Sequence, residues 1–232
     1  YEESSTPKHP IGEKIELADG RVFRYGYTAA AANAGLLVAQ DLSSTALVET
    51  DDSIIAAAGR FSISAGSKAI QVTIASITAN DYAGGLLQIT DDDGEGIQYR
   101  IKSNSATDAT TSGKVDIDLL DPLKVAVTTS SDIAIVGGLW YNVRGASATD
   151  YVISGVSPIA FTANYYGWLQ TAGIALILAD GTIAVGDNLT LSDGVTGAVQ
   201  LKDAETEPLV GFACYAPDNT GHVGVVLQGL VT

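Results

Sequence analysis

Residues 174–191 read Ile-Ala-Leu-Ile-Leu-Ala-Asp-Gly-Thr-Ile-Ala-Val-Gly-Asp-Asn-Leu-Thr-Leu, in which short apolar runs alternate with Asp-Gly and Gly-Asp-Asn breaks. Glycine adopts positive φ without strain, and Asp and Asn tolerate the left-handed region, so each break predicts a tight turn. The alternation continues to the C-terminus, and we expect strands at 174–178, 182–185, 189–191, 198–201, 209–215 and 223–230. Spacing this short and regular predicts a small β-barrel or sandwich over residues 156–232.

The middle of the chain carries the same signal. Period-two alternation of apolar and polar residues, which leaves one face of a strand buried and one wet, recurs at 61–64, 69–77, 86–90, 97–102, 115–120, 125–128 and 133–136. It predicts a second β-domain, of unknown role, over residues 29–155. Residues 36–39 and 46–49 are expected to form edge strands. The Ala-rich stretch 28–34 lacks an amphipathic stripe, and propensity alone leaves a helical turn and a loop equally open.

The N-terminal segment differs from the rest. Residues 1–14 are polar and show no apolar periodicity, so they predict an extended arm that a partner subunit holds in place. Pro7, His9, Pro10 and Ile11 are its candidate partner-binding residues. Asp19-Gly20, flanked by alternating residues, predicts a hairpin that completes a segment 1–28. The expected fold is therefore all-β, with two small antiparallel β-barrel or sandwich domains and an extended N-terminal arm.

Charge narrows the possible partners. The chain has 12 Lys and Arg against 27 Asp and Glu, a formal net charge of −15, which repels phosphate backbones and disfavours direct nucleic-acid binding. No window approaches about 18 consecutive apolar residues, so no membrane partner is expected either.

Catalytic motifs are missing from the sequence. The two histidines, His9 and His222, stand apart from any nucleophile elbow, and no glycine-rich nucleotide loop is present. Cys214 lies in an apolar run and is expected to be buried and inert. The acidic run 91–96 partly matches a calcium-binding loop, but a hairpin turn between two strands explains it better. We therefore expect a protein that is not an enzyme and has no cofactor or metal.

Aromatic residues are the remaining candidates for contact. Tyr and Trp bury a large area with few rotors and keep a polar handle, which suits them to interfaces. Tyr165, Tyr166, Trp140 and Tyr141 are the predicted oligomer-interface residues, whereas Phe161 and Trp168 are expected in the core. Thr-Ala-Asn occurs at 78–80 and again at 162–164, each time before an expected strand, which suggests a shared local structure.

Several stretches resemble a known group of proteins. Leu17-Ala-Asp-Gly-Arg-Val-Phe-Arg-Tyr, Gly94-Glu-Gly-Ile-Gln-Tyr-Arg-Ile-Lys, Asp121-Pro-Leu-Lys-Val-Ala-Val and Tyr166-Gly-Trp-Leu-Gln-Thr-Ala-Gly look like virion-associated proteins of tailed phages. The C-terminal part, with its Val-Gly-Phe-Ala run at 210–213, is similar to phage head decoration (cement) proteins. The chain is larger than a minimal decoration domain, with residues 29–155 as the excess.

The resemblance implies a function. It implies a structural protein on the outer capsid surface of a virion, which stabilises the head by bridging capsomers. Its expected partner is the major capsid protein, and its expected assembly is a homotrimer with the arm lying across neighbouring subunits. An alternative from a different class is a self-assembling subunit of an extracellular filament or surface layer.

Overall fold

The computed structural model describes residues 2–40, 48–54, 61–74, 77–108, 113–150, 152–216, 221–228 and 230. Within these ranges the fold is all-β, as predicted, and contains no helix. The strands are β1 Lys14–Glu16, β2 Val22–Thr28, β3 Leu37–Gln40, β4 Val48–Ser53, β5 Ala69–Thr73, β6 Leu86–Ile89, β7 Gln98–Asn104, β8 Lys114–Leu119, β9 Asp132–Val136, β10 Val143–Gly145, β11 Ile153–Val156, β12 Tyr165–Leu178, β13 Asn188–Leu191, β14 Val199–Leu201, β15 Gly211–Tyr215 and β16 His222–Leu227.

The chain divides into two compact units, one of which interrupts the other. Residues 42–141 form one unit, and residues 1–41 together with 142–232 form the other. These divisions fall at different residues from the segments 1–28, 29–155 and 156–232 drawn from the sequence. The arm, the first hairpin and the C-terminal strands therefore share one folded body, because β2 and β3 pair with strands that follow the insertion.

The outer unit contains a closed five-stranded barrel. Its strands run in the order β2, β10, β3, β11 and β12, and β12 pairs back onto β2. The β2–β10 pair, at Val143 and Thr28, is parallel, whereas the other pairs of the barrel are antiparallel. β3, which the sequence suggested as an edge strand, lies between two neighbours with all four residues buried.

One long strand joins this barrel to a second sheet. β12 pairs with β2 from Tyr165 to Ala172 and with β16 from Gly173 to Leu178. The change of partner falls at a register shift after Gln170 and at Gly173, whose φ is +82°. The second sheet runs β12, β16, β15, β13 and β14, and a bridge between Ala179 and Val199 brings β14 back to the end of β12.

The inserted unit is a six-stranded sheet in the order β4, β9, β6, β7, β8 and β5. A bridge between Ile54 and Val72 joins its two end strands, so this sheet also closes. β8 and β9 alternate buried and half-buried residues, the pattern of a sheet with one face on the core. The backbone amide of buried Tyr82 donates to Asn104 Oδ1 at 2.9 Å, and this hydrogen bond holds the tyrosine in position.

Several expected elements are absent from the described residues. Residues 28–34 continue from β2 into bends and a single bridge at Ala32, which resolves the open choice in favour of a loop. No strand forms at 61–64, 125–128 or 182–185. The strand expected at 174–178 is present, as the C-terminal part of the longer β12. Of the strand expected at 46–49, residues 46 and 47 lie outside the described residues. A short apolar run is compatible with either a strand or a loop, and a strand forms only where the run can pair with a neighbouring strand.

Candidate interaction surfaces

The described residues contain no metal-binding cluster. No group of three or more His, Cys, Asp or Glu side chains among them is arranged to hold an ion. Ser192 Oγ donates to Asp180 Oδ2 and accepts from the amides of Gly194 and Val195, so this pair closes a turn. No helix in the described ranges has the length and apolarity to cross a bilayer.

The acidic run 91–96 forms the turn between β6 and β7. Asp92 adopts a left-handed conformation with φ of +62°, and its carboxylate accepts from Thr128 Oγ1 at 2.9 Å. The Gly96 amide donates to the Ile89 carbonyl and closes the hairpin. These bonds lie within the unit and account for the local conformation.

The N-terminal arm lies on its own barrel. Ser4 pairs with Tyr166 of β12 through two backbone hydrogen bonds, of 2.9 and 2.8 Å. Further along, the Lys8 amide donates to the Tyr25 hydroxyl, and Gly12 and Glu13 exchange backbone bonds with Tyr25. Residues 2–13 are therefore in contact with their own barrel, and the partner subunit expected to hold the arm stays a prediction.

Of the four arm residues named from the sequence, His9 has the most contacts. Its ring lies 5.1 Å from the ring of Tyr25 and 5.0 Å from that of Trp168, and Nδ1 is 3.2 Å from Glu13 Oε2. Ile11 is half-buried, whereas Pro7 and Pro10 are exposed. The Pro10 carbonyl accepts from the Glu13 amide, which turns the arm into β1.

A carboxylate from the arm caps the turn before β12. Glu3 accepts from the amide of Thr162 at 2.6 Å and from its hydroxyl at 2.8 Å. In the inserted unit, Asp81 accepts from the same two groups of Thr78, at 2.8 and 2.6 Å. The repeated Thr-Ala-Asn therefore marks the same capped turn. The turn at Thr78 is capped by the nearby Asp81, and the turn at Thr162 is capped by Glu3 of the distant arm.

Aromatic rings line the outer face of the barrel on β2 and β12. The rings of Tyr27 and Tyr166 are 4.8 Å apart, those of Tyr166 and Tyr25 are 6.3 Å apart, and those of Tyr25 and Trp168 are 5.1 Å apart. Tyr25 is buried beneath the arm, whereas Tyr27, Tyr166 and Trp168 are half-buried. Burial, and then the nearby Tyr25, raise the pKa of Tyr166 above its ordinary value. We call these four residues the aromatic row.

The other aromatic residues named from the sequence lie elsewhere. Tyr165 is half-buried at the start of β12, where its carbonyl accepts from Thr28 Oγ1. Trp140 and Tyr141 are half-buried at the end of the inserted unit, in the turn closed by the bond from the Tyr141 amide to the Gly138 carbonyl. Phe161 is buried, as expected, but Trp168 lies on the outer face of the barrel.

A second surface, which the sequence did not reveal, lies on β12, β16 and β15. Ile174, Leu176 and Tyr215 expose 60, 57 and 59% of their surface. They border a depression of about 650 Å³, and among the described residues that line it none is Asp or Glu. We call this surface the apolar face. Cys214 also borders it and is exposed, so the prediction of a buried thiol is wrong.

Comparison of the chain with protein families, with curated proteins and with solved structures finds no match.

Proposed function

We propose that this chain is a structural protein of a virion, which binds the outer surface of the head and stabilises it by bridging capsomers. The resemblance of its turn and strand motifs to phage head decoration proteins supports this role. So does the strongly acidic composition, which suits a soluble protein kept apart from like neighbours until it binds. The aromatic row on the outside of the barrel is the observation that carries the proposal.

The aromatic row has the composition of a binding surface. Tyr and Trp are enriched among residues that dominate interface energies, because they desolvate a large area at a small entropic cost. The Tyr27 hydroxyl donates to Asn164 Oδ1 at 2.9 Å, which holds that ring in place before any partner arrives. Ile15 and Leu17, each 37% exposed, extend the row beyond Trp168.

The strand beside the row has an open edge. β1 is the end strand of its sheet and, among the described residues, pairs with β2 alone. An edge strand can accept a strand from another chain, which supplies backbone hydrogen bonds, while neighbouring side chains supply specificity. Because residues 2–13 are engaged on their own barrel, we place head binding on the barrel surface and β1 and not on a free arm.

The test uses heads purified from virus that lacks this chain. Wild-type protein is added and bound protein is measured by co-sedimentation, alongside Tyr27→Ala, Tyr166→Ala and the control Leu201→Ala, which removes an exposed apolar side chain on β14. We expect the two tyrosine variants to bind at least about tenfold more weakly and the control to bind normally. Wild-type protein that fails to bind heads contradicts the function, and tyrosine variants that bind normally contradict the surface.

One observation favours the second function, a filament subunit. In an antiparallel pairing of two β1 strands centred on Ile15, Lys14 of one copy would face Glu16 of the other. Opposite charges directly across an antiparallel pair are favourable. Electron microscopy of the purified chain distinguishes the functions, because fibres that form without any partner support the filament and discrete particles support head decoration.

A further inference from the structure

The arm and the barrel together enclose a polar pocket beside Trp168. Its volume is about 350 Å³, at the lower end of the range found for ligand sites, which suits a small ligand. The barrel contributes Tyr25 and Trp168, and the arm supplies the rest of the described lining, which is Glu2, Glu3, Ser4, Lys8 and His9. The pocket therefore exists only while the arm lies on the barrel.

The backbone of Trp168 leaves a gap in the edge of β12 at this pocket. Ser4 exchanges both backbone hydrogen bonds with Tyr166, on the side of β12 that faces away from β2. Backbone groups point to the same side at every second residue of a strand, so the N–H and C=O of Trp168 point there too. Gln170, the next such residue, pairs with Val156 of β11. Among the described residues nothing bonds the Trp168 N–H or C=O, so water or a ligand must satisfy both groups.

Two side chains of the pocket also have unused hydrogen-bonding capacity. Tyr25 is 2% exposed, and its hydroxyl accepts from the Lys8 amide but finds no acceptor for its own proton among the described residues. The Glu2 carboxylate is exposed at the rim, and the described contacts include no partner for it. Leaving a buried donor unsatisfied is costly, so a group that accepts from Tyr25 is favoured here. The pocket thus offers the Trp168 N–H and the Tyr25 O–H as donors, and the Trp168 C=O and Glu2 as acceptors.

The charges around the pocket favour a neutral ligand. Glu2 and Lys8 are both exposed and carry opposite charges, and the Glu3 carboxylate already accepts two hydrogen bonds from Thr162. A cationic ligand would meet Lys8 as well as Glu2. An anionic ligand, such as a phosphate or a nucleotide, would be repelled by the net charge of −15 on the chain.

The Trp168 ring adds an apolar surface to these polar groups. It is half-buried, and the rings of His9 and Tyr25, at 5.0 and 5.1 Å, hold its orientation. The face of an aromatic ring is electron-rich and attracts polarised C–H groups, such as those on one face of a sugar ring. A sugar hydroxyl both donates and accepts, which matches the mixture of donors and acceptors around Trp168.

We propose that this pocket binds a neutral saccharide, with one sugar ring stacked on Trp168. The hydroxyls of that ring form hydrogen bonds with the Tyr25 hydroxyl, the Trp168 backbone and the Glu2 carboxylate. The proposal goes beyond head binding and does not rest on it, because it concerns the chain alone. Since Trp168 also belongs to the aromatic row, a saccharide and a head surface would compete for it.

The test uses the full chain in solution and the methyl glycosides of glucose, galactose, mannose and N-acetylglucosamine. Each is titrated to about 50 mM, because one ring makes a small contact and a Kd of about 1 mM is expected. Binding is followed by NMR at the backbone amides. We expect at least one glycoside to shift the Trp168 amide in a saturable way, and to slow hydrogen exchange at the Tyr166 amide, because the ligand joins the arm to the barrel.

Variants of the pocket distinguish this site from non-specific binding. Trp168→Ala removes the stacking surface and should weaken binding at least about tenfold. Glu2→Ala removes one exposed acceptor and leaves the barrel intact, and it should weaken binding about tenfold. Glu16→Ala is the matched control, since it removes an exposed carboxylate of β1 outside the pocket and should bind as the wild type does.

A Trp168 amide that no glycoside shifts overturns the proposal, and so does binding that Trp168→Ala and Glu2→Ala leave unchanged. Nα-acetyl-lysine methylamide, which mimics a basic side chain of a protein partner, is titrated in parallel. Saturable binding of this probe at Trp168, without binding of any glycoside, would also overturn the proposal and assign the pocket to a cationic group.

Discussion

Gly167 determines whether the aromatic row can form, because it separates Tyr166 from Trp168 on β12. Its missing side chain faces Phe161, and a Cβ added there would lie 2.1 Å from Cε1 and 2.7 Å from Cζ of that ring. Contacts below 3.0 Å are essentially never observed for Cβ atoms, so the ring or the strand must move. Phe161 is 3% exposed, which leaves its ring no route into solvent.

We therefore expect Gly167→Ala to destabilise the outer unit. Overpacking a filled core costs about 1–3 kcal/mol. The alanine also restricts the unfolded chain, which offsets about 0.4–1 kcal/mol of that cost. The net loss is about 0–2.6 kcal/mol, and its middle value of about 1.3 kcal/mol corresponds to a decrease in Tm of roughly 3–5 °C, at about 2–4 °C per kcal/mol for a chain of this size.

The assay follows unfolding of the outer unit alone. The chain has two tryptophans, and a Trp140→Phe background leaves Trp168 as the single tryptophan whose emission is followed. Gly194→Ala is the control, since its Cβ would meet only the Asp180 carboxylate at 3.3 Å. In the double variant Gly167→Ala/Phe161→Leu, the smaller side chain should recover part of the loss caused by the alanine. If Gly167→Ala unfolds at the same temperature as the control, the proposed clash is refuted.

Two further predictions concern the charged surface and the arm. Arg100 lowers the pKa of Asp121, chiefly through a side-chain hydrogen bond. The Asp121 carboxylate therefore stabilises the fold at pH values above 3.8, the pKa of the unfolded state. This contribution disappears as the pH falls through the lowered pKa of the folded state. By NMR titration, Asp121 should therefore protonate at a higher pH in Arg100→Gln, and an unchanged midpoint contradicts the pairing. Glu3→Ala removes both acceptors of Thr162, so hydrogen exchange at the Tyr166 amide, which donates to Ser4, should accelerate at least about tenfold. Glu2→Ala is its control, and equal exchange in both variants would show that the Glu3 cap does not hold the arm.

Local turn chemistry was the part of the fold that could be read from the sequence. Asp19-Gly20 forms the predicted hairpin, with Gly20 at φ of +84° and Lys14 opposite Arg24. This succeeds because the conformation depends on a few adjacent residues. Strand alternation alone also places Phe23, Tyr25 and Tyr27 on one face of β2.

The partners of each strand could not be read from the sequence. Alternation assigns residues to faces, but it does not state that β2 will meet β12 more than a hundred residues later. The exposure of Cys214 was missed for a related reason. A bulge changes the phase of the alternation, and its position depends on how β15 pairs with β16. For the same reason the sequence did not indicate the apolar face.

The role of the repeated Thr-Ala-Asn turn becomes clear only when the position of the arm is known. Thr78 and Thr162 begin turns in which Asn80 and Asn164 both adopt positive φ, at 71° and 65°. The first turn carries its own carboxylate at Asp81, whereas the corresponding position of the second is Tyr165, whose side chain cannot accept these bonds as a carboxylate does. The amide and hydroxyl of Thr162 then need an acceptor from elsewhere, and Glu3 supplies it. The Glu3 cap therefore acts together with the Ser4–Tyr166 backbone pair and the bonds of Lys8, Gly12 and Glu13 to Tyr25 in holding this polar segment on the barrel.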